Sequence, residues 1–300
     1  MESTEASRRP LEGRIALVAG ATRGAGRAIA VELGRAGAHV VVTGRSTHEA
    51  ASEMGRPETI EGTAGMVRAV GGTATALKVD HTRQDEVRDL IERIDHDHGR
   101  LDILVNDVWG GDHLMQMGPF WEQDLSRGLR MFELGAVTHL ITSRHAVPLM
   151  VRNPGKGGIV FEITDGIADR YRDTFYYDLT KNAVVRAAKG QAHDLFPHGI
   201  AVLAVGPGFL RSEAMLDHFG VTEETWRDAI AQDRHFAISE TPYFVARCIA
   251  ALAADPDIMA RTGTAVASWN LAREYGIDDV DGRRPDWGTY ARDVLGMDMG

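Results

Sequence analysis

One cysteine in 300 residues leaves no partner for an internal disulfide. Nothing therefore points to an oxidising compartment. That residue, Cys248, sits in the apolar helical pattern FVARCIAALAA, where a free thiol acts as a small buried hydrophobe. Also missing is any apolar run near the ~18 residues that a membrane span needs. The opening residues MESTEASRRPLEG are polar and carry no apolar signal core, so a cytoplasmic protein is expected, with residues 1–11 as a mobile tail. Basic charge is scarce. Against 43 acidic residues stand 33 Lys and Arg, a net charge of −10. A nucleic-acid partner needs a basic face, so none is expected. Internal repeats, low-complexity tracts and linkers are absent too.

What is present is a βα alternation. Apolar β-rich runs fall at 14–19, 39–44, 73–79, 101–106, 158–164, 200–205 and 264–270. Helical patterns fall near 25–36, 58–70, 83–98, 121–152, 176–196, 212–233 and 241–254. Strands apolar on both faces, separated by helices, predict an α/β fold, a doubly wound parallel sheet with helices on both faces. One domain over 12–270 is expected, with 271–300 as a tail packed on it.

The first run ends in GATRGAG and a helix follows at once. Gly20, Gly24 and Gly26 allow a tight turn and a close backbone approach to a pyrophosphate, with Thr22, Arg23 and Ala25 between them. At the end of the second run stand Gly44, Arg45 and Ser46. An acid for the ribose hydroxyls is missing there. Arg23 and Arg45 suit a 2′-phosphate, which predicts NADP(H) over NAD(H). Asp80, with His81 beside it, ends the third run, and Asn106 ends the fourth. Both fall at carboxyl ends of strands, where such sheets bind ligands.

Tyr177 and Lys181 stand four apart, on one helical face. With six tyrosines and four lysines in the chain, an accidental pair at this spacing is rare. An ammonium beside a phenol favours the tyrosinate and lowers its pKa, making Tyr177 a candidate acid/base.

Taken together, GATRGAG, VDHT, DILVN, YDLTK and VGPGFLRS resemble the short-chain dehydrogenase/reductases over residues 12–270. The resemblance implies a Rossmann domain with a seven-stranded parallel sheet. It implies hydride transfer between NADP(H) and a ketone, aldehyde or secondary alcohol. Tyr177 would then be the proton donor, and Lys181 would bind the nicotinamide ribose. Pro207, Gly208, Leu210 and Ser212 would line the nicotinamide, and 212–240 would be the substrate lid. A homodimer or homotetramer pairing through the helices near 121–152 and 176–196 is implied as well.

Three positions depart from that family. The Asn-Asn-Ala-Gly run after the fourth strand is Asn106-Asp107-Val108-Trp109. The helix Asn of the lysine–water relay falls on Gly135. The catalytic Ser pair becomes Thr164-Asp165. Alternation of faces prevents both residues from facing Tyr177. Either Thr164 donates to the substrate oxygen and Asp165 faces away, or Asp165 lies in the site, protonated by desolvation. The altered positions also leave room for redirected, epimerase-like chemistry, or for a nucleotide-binding protein without turnover. Trp109, Phe120, Trp121, Phe209 and Met215 are candidates for an apolar substrate wall.

Overall fold

The structure, a computed structural model, describes residues 9–51, 55–153, 157–168 and 171–297. Seven strands form its sheet: β1 (Ile15–Ala19), β2 (His39–Gly44), β3 (Thr73–Lys78), β4 (Ile103–Asn106), β5 (Gly158–Ile163), β6 (Ile200–Gly206) and β7 (Ala265–Ala267). Their order is 3-2-1-4-5-6-7, and every pairing is parallel. The chain therefore reverses its winding between β1 and β4, the switch point at which doubly wound sheets open a crevice.

Period-2 alternation divides the apolar residues between two faces. Val18, Val42, Val105 and Phe161 pack under α1 (Gly24–Arg35), α2 (Ile60–Ala69) and, later in the chain, α8 (Pro242–Ala254). Leu17, Val41, Leu104 and Val160 pack under α3 (Gln84–His98), α5 (Thr138–Val151) and α6 (Phe175–Leu195). Cys248 is buried in the first of these layers, as its pattern predicts. No helix among the described residues is long and apolar enough to cross a membrane.

Three stretches differ from expectation. The helical pattern of 121–152 starts only at α4 (Leu125–Phe132), where the Asp124 side chain accepts from the Ser126 N–H at 2.8 Å. It then widens into a π-helical turn at Glu133–Val137 before α5. The pattern of 212–233 holds only α7 (Glu213–Phe219), capped by Ser212 and ended at Gly220 with φ +68°. The rest of that segment is short 3-10 turns around a small core of Trp226 and Phe236, with Phe209 and Met215 against it. The run at 264–270 is strand only to Ala267. Ser268 opens α9 (Ser268–Tyr275), and α10 (Trp287–Leu295) follows.

Of the expected N-terminal tail, residues 1–8 lie outside the described residues. Leu11, however, is buried and donates its N–H to the Ala36 carbonyl at 2.9 Å.

Candidate functional site

The carboxyl ends of β1 to β6 open into one cavity of about 1130 Å³. At its floor is the turn after β1. Gly20 has φ +89°, and a Cβ there would lie 2.4 Å from the Asp107 carbonyl oxygen. Only glycine fits so close an approach. Gly26 has a different task from the expected ligand contact. It does not line the cavity, and a Cβ on it would meet the Gly20 carbonyl oxygen at 2.3 Å, so it lets α1 pack on the turn. Thr22, Arg23, Gly24 and Ala25 do line the cavity, as do Gly44, Arg45, Ser46 and Asp80. The Glu213 carboxylate of α7 accepts from the Gly24 N–H at 2.9 Å, placing an anion at the start of α1.

His81 also borders the cavity, but its ring lies between Thr43 Oγ1 and Thr142 Oγ1, each 2.8 Å away. Burial drives its pKa down to about 4, with His139 adding to the effect. The expectation for Asn106 is corrected. Its side chain is fully buried and donates to Ser143 Oγ at 2.9 Å and to Glu162 Oε1 at 3.0 Å, so it braces the sheet from behind. Glu162 Oε2 in turn faces His139 Nδ1 at 2.8 Å.

The Thr164–Asp165 alternatives are decided by geometry, and neither holds as stated. Thr164 borders the cavity, but its hydroxyl is engaged elsewhere. Its hydroxyl donates to the Lys181 carbonyl at 2.8 Å and accepts from the Gly166 N–H at 3.1 Å. A hydroxyl committed in both directions has no donor left for a substrate oxygen. Asp165 is the residue in the site, where Tyr177 donates its hydroxyl to Oδ2 at 2.5 Å. It is not the neutral acid of the second alternative. Burial alone would raise its pKa, but Lys181, Arg172 and the Tyr177 hydroxyl hold it below the ordinary carboxylate range. Tyr177 moves the opposite way from the sequence expectation. Burial first, and then Asp165, push the phenol well above its usual value.

Two residues outside the expected set complete the arrangement. Arg172 Nη1 is 3.0 Å from Asp165 Oδ2 and 2.8 Å from the Asp165 carbonyl, and its Nε donates to Asp178 at 3.0 Å. Trp109 lies under the Lys181 ammonium, 3.8 Å from ring centre to Nζ, and meets Tyr177 edge-on at 5.5 Å. Gly135 makes room for that indole, since a Cβ there would be 2.5 Å from the ring. The place where a helix Asn was sought is filled by tryptophan, and Lys181 is steadied by a cation–π contact. The neighbouring Asp107 is raised to about 7 by burial, against the pull of Lys181 and His139.

At the far end, Pro207, Gly208, Leu210 and Ser212 line the cavity. The Gly208 N–H donates to Glu240 Oε2 at 2.9 Å, and burial lifts the Glu240 carboxyl to about 8. Of the expected apolar wall, Trp109, Phe209 and Met215 face the cavity. Phe120 and Trp121 do not line it and are exposed instead. The C-terminal segment adds Trp269, Trp287, Leu295 and Met297 to the wall. A run such as REYGIDDVDGRRPDW carries no local signal that its end folds back onto strands far upstream.

The chain is similar to known proteins in sequence and in fold. A profile of the short chain dehydrogenases matches residues 14–219. Dehydrogenase/reductase SDR family member 1 of Homo sapiens is 32% identical over 280 residues, covering 91% of this chain and 85% of that protein. A cyclohexanol dehydrogenase of Rhodococcus sp. (strain TK6) is 30% identical over 213 residues, covering 67% of this chain and 76% of that one. A solved short-chain dehydrogenase/reductase variant from Serratia marcescens superposes with TM-score 0.70 at 27% identity, over 86% of this chain and 97% of its own. By sequence and by fold, the chain belongs to the short-chain dehydrogenase/reductase family of oxidoreductases.

Proposed function

We propose that the protein is an NADP(H)-dependent oxidoreductase acting on a small carbonyl/alcohol pair. One observation carries this reading. The glycine turn after β1 and the Tyr177–Lys181 face of α6 border the same cavity. A dinucleotide held by the first would place its reactive end beside the second. The residues fit such a group. Backbone amides of the turn offer an anion site at the start of α1, where a pyrophosphate would take the place of the Glu213 carboxylate on the Gly24 N–H. Thr22, Arg23, Arg45 and Ser46 would hold the adenosine end, with Asp80 near the adenine. Lys181 would hold the nicotinamide ribose, and Pro207, Gly208, Leu210 and Ser212 would flank the nicotinamide. When bound, that cofactor gives or takes the hydride. Tyr177 moves the proton at the substrate oxygen, and the apolar wall of Trp109, Phe209, Met215 and Trp287 excludes water around it.

NADP over NAD follows from Arg23 and Arg45 beside Gly44, at a strand end without an acid. Arg45→Ala is expected to weaken NADPH binding by roughly tenfold or more, the loss of one charge-assisted contact to a phosphate, and to leave NADH nearly unchanged. Fluorescence titration of both dinucleotides checks it; equal losses contradict the assignment. The reading as a whole is tested by following NADPH consumption against a panel of ketones, aldehydes and quinones.

The same reading includes pairing into a homodimer or homotetramer. Leu125 and Leu129 on α4, Leu140 on α5, Leu179 in the second turn of α6 and Phe196 just past its end are exposed apolar side chains suited to contact with a second copy. A monomer by light scattering would contradict it.

A further inference from the structure

We propose that this site is built to oxidise an alcohol, with Asp165 as the final acceptor of a two-proton relay through Tyr177. The inference rests on the dinucleotide-dependent reading above and adds a direction and a base. Tyr177 does not point a free proton into the cavity. Its O–H is already given to Asp165 Oδ2 at 2.5 Å. A phenol oriented this way presents its oxygen lone pair, an acceptor, to an incoming hydroxyl. For a carbonyl the same arrangement is poor. The developing oxyanion would meet a carboxylate, and the Tyr177 O–H is turned away from it.

The charged surroundings keep the acceptor ready. Arg172 faces Oδ2 at 3.0 Å, and Lys181 Nζ lies 4.0 Å from Oδ1. Asp178 stands behind Arg172 at 3.0 Å. Asp107, in the turn after β4, acts on Lys181 and on His139 of α5, while Asp112 acts on Tyr177 from the loop after β4. Asp165 Oδ1 accepts no hydrogen bond from the described residues, so the carboxylate is not saturated.

The relay balances. The alcohol O–H bond breaks and its proton passes to Tyr177 Oη, while the Tyr177 O–H bond breaks and that proton passes to Asp165 Oδ2. The carbinol C–H bond breaks with its electron pair, which leaves as hydride to the oxidised nicotinamide dinucleotide. The carbon is oxidised, the dinucleotide is reduced, and Asp165 later releases one proton to water.

The base is ionised across the neutral range, so kcat/KM for oxidation by wild type should be flat from about pH 5 to 8. By reversibility, carbonyl reduction should fall about tenfold per pH unit over the same range. In Asp165→Ser and Asp165→Asn the phenol itself must ionise. Oxidation should then drop by about 10²-fold at pH 7 and climb tenfold per unit above it. With cyclohexanol and 2-alkanols as probes, a proton inventory in mixed H₂O/D₂O should be curved for wild type and linear for Asp165→Ser. A readout without cofactor or substrate is the tyrosinate absorbance of Tyr177, taken as the difference from Tyr177→Phe. Asp165→Asn should bring its onset to lower pH. A wild-type oxidation profile that climbs tenfold per unit, an unchanged tyrosinate onset in Asp165→Asn, or NADP⁺ binding with no alcohol oxidised would overturn the relay. Failure to bind any nicotinamide dinucleotide would instead overturn the reading beneath it.

Discussion

Tyr177→Phe is expected to lower turnover by about 10³-fold while leaving dinucleotide affinity close to that of wild type. The substitution deletes one oxygen from a side chain that is otherwise held by packing. Trp109 meets the ring edge-on, and the Arg172 guanidinium lies 5.1 Å from its centre. These contacts survive in phenylalanine, so the wall of the cavity is kept. What is lost is the hydroxyl that, in the proposed relay, passes a proton between the substrate oxygen and Asp165. Asp165 retains Arg172 as its partner, so folding should change little. Parallel measurements of kcat and of NADPH titration check the split. A loss of affinity as large as the loss of turnover would place Tyr177 in binding rather than in proton transfer.

His139→Leu is expected to destabilise the fold by about 3 kcal/mol, the largest structural effect among these substitutions. The imidazole bridges Glu162 Oε2 at 2.8 Å and the Val108 carbonyl at 3.2 Å. Glu162 is fully buried on β5, and its other oxygen accepts from Asn106 on β4 and, at 3.3 Å, from Ser143 on α5. Leucine fills most of the space but removes the ring nitrogens facing these two buried oxygens, at least one of which loses its N–H donor. The cost of stranding a buried acceptor exceeds the net worth of the hydrogen bond itself. The damage should reach the site, because Val108 carries the chain from β4 to Trp109. Urea unfolding gives the magnitude. Adding Glu162→Leu should cost less than the sum of the two single changes, as expected for partners in one network. Strict additivity would show that the two residues are not coupled.

Much of this arrangement is legible in the sequence where the signal is local. The glycine turn needs only a strand, three glycines and a helix start. Tyr177 and Lys181 need only a spacing of four. The parallel sheet follows from apolar runs separated by helical ones. Ambiguity enters where elements end. Ile163 is the last strand residue, so face alternation no longer orients Thr164 and Asp165, and only the turn that follows decides which faces Tyr177. Val266 and Trp269 read as strand formers, yet Ser268 begins α9, whose buried face is Ser268, Trp269, Leu271 and Ala272. Contacts between distant segments are not legible at all. Trp109 over Gly135 and Lys181, and Arg172 on Asp165 and Asp178, depend on how the loops after β4 and β5 fold back. The direction of the Tyr177 shift illustrates this. A lysine one turn away argues for a lowered pKa, but burial and the facing carboxylate are larger and carry the opposite sign.

The central claim is that one cavity brings a dinucleotide to Tyr177 for hydride transfer. It is tested most directly with NADPH deuterated at the nicotinamide C4 position, offered with the carbonyl panel at pH 5 to 6, where Asp165 is most readily protonated. Mass spectrometry of the product alcohols reads the result. The account predicts deuterium on the carbinol carbon, with the yield of labelled product falling about 10³-fold in Tyr177→Phe. NADPH that binds tightly, yet gives no labelled product from any carbonyl and takes up no hydride from any alcohol in the reverse assay, would contradict it.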